Sequence, residues 1–291
     1  MSEEPGFAGA CVAVVGLGLM GGSLAGALAT RQACRQVVGV SRRPETLRTA
    51  LERGWIHHGT TDLIEGTAQA DVVVLATPPR VVLRQLREIG PHLQAGTLVM
   101  DLASTKAQVL RAMEGLPACV QPLGGHPMCG KEQAGIEAAQ PDLFAGRPFI
   151  LSPLPRTSAG ALEQGKALVR AVGAVPVVLD AADHDRMVAW VSHLPHTVAL
   201  SLMGAAMAGA QQDPGLWSLA ASGFRDTTRL AASDPDMMLD IFLTNQENIL
   251  RAMNVFREQF DKLYALIEAG DEAPLRECIE AASRRRRELN L

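Results

Sequence analysis

The chain has 291 residues, an apolar fraction of 47% and a formal net charge of −4, enough for one large or two ordinary globular domains and without the basic field that nucleic-acid binding needs. No window approaches the roughly 18 uninterrupted apolar residues of a membrane span; residues 1–9 lack the basic-then-apolar pattern of a signal peptide. The five cysteines are scattered with no Cys-x-x-Cys pair, so no disulfide framework and no metal site are expected, and the expected compartment is the reducing cytoplasm.

Residues 11–15 form a short apolar run that reads as a buried parallel strand. Gly16-Leu17-Gly18-Leu19-Met20-Gly21 follows at once, and residues 23–29 favour helix. This strand–turn–helix setting is what a dinucleotide fingerprint requires. The first glycine makes the tight turn, the second lets the backbone approach a pyrophosphate, and the third lets helix and strand pack closely. Gly16, Gly18, Leu19, Met20 and Gly21 are therefore candidate cofactor contacts, with the helix N-terminus offering N–H groups to the phosphates. Residues 37–40 read as a second strand, whose end sets cofactor choice. Where an acidic residue would bind a ribose 2′-hydroxyl, the chain has Ser41, Arg42 and Arg43, suited to a 2′-phosphate. NADP is the expected cofactor, with NAD as the alternative.

Residues 45–53 read as a helix and residues 54–66 as a loop carrying two surface histidines, His57 and His58. A strand over 71–76 ends in Thr77-Pro78-Pro79. Ligands of an open α/β sheet sit beyond the carboxyl ends of its strands, so Thr77 and Pro78 are expected to border a nicotinamide. A helix over 81–93 leads to a strand over 97–102 and then Ala103-Ser104-Thr105-Lys106. Ser104 can reach a substrate hydroxyl, the nicotinamide or His126, and can also cap a helix over 106–114. Residues 119–123 read as a strand leading into Gly124-Gly125-His126-Pro127-Met128. Two glycines and a proline around a histidine predict a tight, backbone-exposed turn. There a neutral His126 imidazole can take a hydroxyl proton while hydride leaves for a nicotinamide. A helix over 131–140, strands over 148–152 and 175–179 and a helix over 162–172 complete a doubly wound parallel sheet of Rossmann type.

Strands then cease. Residues 183–210 read as one long helix carrying His184, His193 and His196, kinked at Pro195. His193 and His196 share a face, and residues 197–210, apolar all round, suggest a subunit interface. In residues 222–229 Arg225 and Arg229 flank Asp226, so one arginine can pair with Asp226 while the other meets a carboxylate. A second long helix over 236–269 has a coiled-coil-like stripe of Ile249, Met253, Phe256, Phe260, Leu263 and Ile267; residues 274–289 form the last helix. The expected division is a dinucleotide-binding domain over 1–180 and an all-α substrate and dimerisation domain over 181–291.

With these residues in view, the chain resembles the prephenate/arogenate dehydrogenase family of tyrosine biosynthesis. VGLGLMGG (15–22), DLASTK (101–106), GGHPMCG (124–130), DHDRMVAWVSHLPH (183–196) and SGFRDTTR (222–229) carry the resemblance. It implies an NAD(P)-dependent homodimer that oxidatively decarboxylates prephenate or arogenate, with tyrosine a candidate inhibitor. By the same resemblance His126 is the catalytic histidine, and Ser104 assists it beside the nicotinamide. Arg229 binds the ring carboxylate and His196 the side-chain end, while Glu132 and Asp226 stand at the site mouth. Cys129, Lys131 and Met238 depart from the family pattern. A β-hydroxyacid dehydrogenase is the rival enzyme, but residues 183–210 contain no lysine to serve as its catalytic group. A non-catalytic NADP(H)-sensing module would need neither GGHPM nor GFRDTTR.

Overall fold

A computed structural model describes residues 7–130 and 133–289. The chain divides into two compact units, Met1–Gln246 and Glu247–Leu291. The larger unit opens with β1 (Cys11–Val15), α1 (Leu19–Thr30), β2 (Gln36–Val40), α2 (Pro44–Glu52), β3 (His58–Thr60) and α3 (Leu63–Thr67). It continues with β4 (Val72–Leu75), α4 (Pro79–Ile89), β5 (Leu98–Asp101), α5 (Ala107–Glu114) and β6 (Gln121–Pro127). Then come β7 (Pro148–Pro153), α6 (Ala159–Ala171) and β8 (Val175–Val178), followed by α7 (Ala181–Val188), α8 (Leu194–Gln212), α9 (Ser222–Thr228) and α10 (Pro235–Thr244). The smaller unit is made mainly of α11 (Gln246–Ala269) and α12 (Glu272–Glu288). Among the described residues, no helix is long and apolar enough to cross a membrane.

The strands form one eight-stranded sheet in the order β3-β2-β1-β4-β5-β6-β7-β8. Every neighbouring pair is parallel except β6 with β7. The central strands β1, β4 and β5 are buried on both faces and largely apolar, and their alternate residues enter different cores, whereas the edge strands β3 and β8 are partly exposed. Val12, Val14, Val72, Val74, Leu98 and Met100 join one cluster with Leu24 and Leu28 of α1. Ala13, Val15, Val73, Leu75 and Val99 join the other with Val82 and Leu86 of α4 and Val109 of α5. The order reverses direction between β1 and β4, which opens a crevice at their carboxyl ends.

Five local expectations are corrected. Residues 54–66 are not all loop: β3 pairs with β2, and Asp62 starts α3 by accepting from Ile64 N and Glu65 N. The segment after residue 132 is not a helix but a single turn over Ile136–Ala138, entered through Gly135 at φ +90°. His126 does not sit on a tight turn: Gly124 to Pro127 lie within β6, pairing antiparallel with β7. The helix expected over 183–210 is divided by a π-helical turn, Ala189–His193, which lets Pro195 enter at the start of α8. The helix expected over 236–269 breaks at Asn245 (φ −127°), whose side chain is engaged elsewhere. In the single chain, Met253, Phe256, Phe260, Leu263 and Ile267 of α11 are exposed.

Candidate active site

The crevice begins at Gly16, where β1 turns into α1. Gly16 has φ +92°, and a Cβ there would lie 2.7 Å from Thr77 Cγ2 and 2.9 Å from Ala76 O. The glycine thus lets the turn after β1 close against the turn after β4. A Cβ on Gly21 would lie 1.8 Å from Gly16 O, so α1 packs directly on that turn. Gly18, the N-cap of α1, has open space where its Cβ would be. That cradle fits a pyrophosphate against the free N–H groups of the helix start. Leu19 and Met20 are half-buried in the first turn of α1. Thr77 donates to Gln85 Oε1 at 2.6 Å, and Pro78, the N-cap of α4, is exposed. At the end of β2, Ser41 N donates to Thr60 O at 3.2 Å, and Arg43 N donates to Ser41 Oγ at 3.3 Å. The Arg42 and Arg43 side chains are exposed and make no ion pair among the described residues.

His126 is half-buried on β6, and its Nδ1 lies 2.8 Å from His184 Nε2 on α7. The next link fixes the protons. His184 Nδ1 lies 2.8 Å from Asp185 Oδ1, and a carboxylate only accepts. With both rings neutral, His184 therefore carries its proton on Nδ1 and offers Nε2 as an acceptor. His126 then donates from Nδ1 and keeps a lone pair on Nε2. Asp185 is held in turn by the start of α5: Oδ1 accepts from Lys106 N at 2.7 Å and Oδ2 from Ala107 N at 2.8 Å. Burial, with smaller contributions from His184, Lys106 and His193, pushes the His126 pKa well below its ordinary value. The arrangement yields an oriented, neutral imidazole backed by a carboxylate.

His193, at the end of the π-helical turn, is buried beside this chain of groups. Asn245 Nδ2 donates to Asp185 O at 2.7 Å, which fixes the orientation of the amide, and it lies 3.1 Å from His193 Nδ1. His193 must accept at Nδ1 and carry its proton on Nε2, which is buried with no partner among the described residues. It is a preset donor. Burial first, then His196 and His184, push its pKa down to about 4 against the opposing pull of Asp185. The unfolded chain binds a proton below the ordinary value of 6.5, whereas the folded chain refuses it until about 4. This contribution to stability is complete above 6.5 and is lost as pH falls toward 4, by about 3 kcal/mol in all. Urea midpoints should therefore fall across that window, and His193→Gln should flatten the slope; an unchanged slope would sink the assignment.

The remaining expected residues are distributed unevenly. Ser104 is half-buried between β5 and α5, directly before the buried pair Thr105 and Lys106. His196 is half-buried near the start of α8; its Nδ1 donates to Ser192 O at 2.9 Å, and its Nε2 lies 3.2 Å from Ser233 Oγ. Arg229, exposed, opens the short turn Arg229–Ala232, whose C-cap is that Ser233. Arg225 and Asp226 are exposed on α9, and the expected arginine–Asp226 pair does not form: Asp226 has no ion pair among the described residues. Glu132 and Lys131 lie outside the described residues. Cys129 is half-buried with its thiol pushed up to about 11 by burial, which leaves it un-ionised and inert. Met238 is buried within α10. Sequence reasoning missed Asp185, Asn245, Asp101 and Lys106; the available signal was an aspartate closing an apolar strand and another beside His184.

Residues 25–178 match the nucleotide-binding domain of prephenate dehydrogenase, and residues 180–281 match that family's dimerization domain. The chain is 34% identical over 262 residues to the prephenate dehydrogenase of Bacillus subtilis, covering 89% of this chain and 71% of that one. It is similar to the crystal structure of Aquifex aeolicus prephenate dehydrogenase in complex with hydroxyphenyl propionate and NAD+, with a TM-score of 0.90 and 31% identity, covering 96% of this chain and 98% of that one. It is also similar to the Synechocystis arogenate dehydrogenase structure, with a TM-score of 0.79 and 32% identity, covering 96% and 99%. A fingerprint crevice that fits a dinucleotide, a carboxylate-backed histidine beyond it and matches to both family domains agree: the chain belongs to the prephenate dehydrogenase family of NAD(P)-dependent oxidoreductases.

Proposed function

We propose that this chain oxidatively decarboxylates prephenate or arogenate, with NADP as its preferred cofactor and His126 Nε2 as the base. The carrying observation is the hydrogen-bond chain from His126 through His184 to Asp185, which leaves Nε2 as the acceptor. A bound nicotinamide supplies the hydride acceptor. His126 takes the proton of the ring hydroxyl as the hydroxyl-bearing carbon becomes a ketone. The ring carboxylate then leaves as CO₂, its bond electrons entering the ring, and the resulting phenolate recovers the proton from His126. Asp185, through His184, stabilises the positive charge that His126 carries between these steps. Ser104 and the preset Nε2–H of His193 are assigned as donors to substrate. Arg229 holds the ring carboxylate and contributes to binding more than to rate, because gripping it too tightly would oppose its loss. His196 and Ser233 meet the side-chain end, with Glu132 and Asp226 at the mouth.

In this reading residues 1–180 bind the cofactor and residues 181–291 complete the substrate site and the dimer. The family domains matched over 25–178 and 180–281 support that division. The preference for NADP rests on Ser41 and on two exposed guanidiniums without ion-pair partners at the end of β2. Nicotinamide reduction, followed spectrophotometrically with each substrate and each cofactor, tests the proposal. Arg42→Ala/Arg43→Ala should raise KM for NADP about 10- to 100-fold, the worth of one or two charge-assisted bonds, and leave KM for NAD unchanged. Equal losses with both cofactors would reject the 2′-phosphate role, and absence of turnover with both substrates would reject the activity.

A further inference from the structure

Asp101 and Lys106 lie in the core with side chains fully buried, the lysine ammonium against Asp101 Oδ2. A buried pair of this kind is a poor stabiliser, because desolvating two charges cancels most of their attraction. Lys106 also has no acceptor other than Asp101 among the described residues. What the pair touches is more informative. Asp101 closes β5; its Oδ2 accepts from Ala103 N at 2.9 Å, immediately before Ser104, and its Oδ1 accepts from Gly125 N at 3.1 Å, immediately before His126. The two glycines ahead of His126 lie close to the same pair. A Cβ at Gly125 would lie 2.4 Å from Asp101 O, and one at Gly124 would lie 3.2 Å from Lys106 Cδ. The first of these contacts is with the Asp101 main chain, and Gly124 is also closed in by Leu110 Cδ2 at 3.1 Å and Ser152 O at 3.2 Å, so the two glycines let β6 pack closely on β5, β7 and α5.

We propose that Asp101 and Lys106 are positioning residues for the oxidation step: one carboxylate clamps the Ser104 turn to the His126 strand, and the lysine ammonium, paired with that carboxylate, completes the clamp. This rests on His126 being the base. The groups acting on His126 are His184 from α7, with Asp185 behind it, His193 from the π-helical turn, and Lys106, the N-cap of α5. Of these, Lys106 is the one paired with a carboxylate as an ammonium; burial pushes its pKa down, against the opposing pull of Asp101 and Asp185. It opposes protonation of His126, whereas the Asp185 carboxylate at the far side of His184 favours the imidazolium formed during turnover. Removing the cation should let His126 protonate at higher pH, so the acid limb of kcat/KM should move up.

The test is Lys106→Met, Lys106→Arg and the double variant Asp101→Asn/Lys106→Met, which avoids leaving a buried carboxylate unpaired. Each is assayed well below its Tm, with the histidine rings titrated by NMR in the same samples. In both methionine variants kcat should fall about tenfold with KM for substrate and cofactor little changed; in Lys106→Met, which loses one nearby charge, the acid limb should rise by about one pH unit, and in the double variant, which loses one charge of each sign, it should move less. The His126 resonances should report the same displacement without any turnover. Lys106→Arg should keep the wild-type limb. A double variant with wild-type kcat would overturn the proposal, as would identical profiles in the arginine and methionine variants. Failure of the underlying reading looks different: His126→Asn would then retain turnover while the ring titrations still responded to Lys106.

Discussion

Replacing His126 with asparagine should lower kcat by about 10²–10⁴-fold, the usual contribution of a general base, and change KM little. Asparagine can imitate the donor at Nδ1 through its amide, so the bond toward His184 Nε2 is replaceable. It has no atom that accepts a proton at the position of Nε2. The loss should therefore fall on the chemical step and leave binding nearly intact, which is the signature of an interaction made only in the transition state. Steady-state kinetics with saturating cofactor will measure it, and near-normal turnover would rule out the assignment. The low proton affinity of the ring gives this base a wide working range. His126 stays neutral well below its ordinary pKa, so the acid limb of the wild-type enzyme should lie on the acidic side of the ordinary histidine range.

Asp185→Asn should produce the second-largest effect, a fall in kcat of about 10²–10³-fold, as expected when a general base loses the group that orients it. Asp185 accepts three hydrogen bonds, from Lys106 N, Ala107 N and His184 Nδ1, at 2.7, 2.8 and 2.8 Å. An asparagine has one oxygen for them. Its NH₂ takes the place of Oδ2, facing α5 at Ala107 N, or of Oδ1, facing both Lys106 N and the His184 ring. Facing α5, it leaves a buried N–H unsatisfied, costing about 1–3 kcal/mol. Facing His184, it forces that ring to accept at Nδ1 and donate from Nε2, which reverses the chain and leaves His126 donating from Nε2. Either outcome removes the lone pair that the reaction needs or the helix start that holds it. Thermal unfolding and kcat measured on the same sample separate the two. A variant with wild-type kcat would show that the carboxylate serves only as a helix cap.

These two residues mark how differently the parts of the site could be read. His126 was legible because a histidine set among glycines and proline beyond a strand-rich half has few structural explanations. The conformation around it was misjudged, because glycines that suggest a turn in isolation serve here to let a strand pack closely on its neighbours. Asp185 was not legible. In sequence it is one acidic residue on the polar side of a helix, and its partners stand 78 and 79 residues away. Ser104 had the look of a local cap for α5, yet that helix begins at Ala107 and takes its acceptor from Asp185 on α7. Asn245 interrupts a sequence whose period runs on as helix, because its amide bonds Asp185 O and His193 instead of extending the turn.

The sequence by itself determined the strand–glycine turn–helix start, the apolar central strands of the sheet and the helical second half, and it singled out His126 as the candidate base. Each is written in residues close together in the chain, where periodicity and turn chemistry act. Only the tertiary structure decided which nitrogen of His126 is left as an acceptor, what caps α5 and what the two glycines make room for. Those properties belong to pairs of groups brought together by the sheet order and by the return of α7 and α10. A hydrogen-bond chain acquires its direction from the carboxylate at its far end, and no local pattern records where that end will lie.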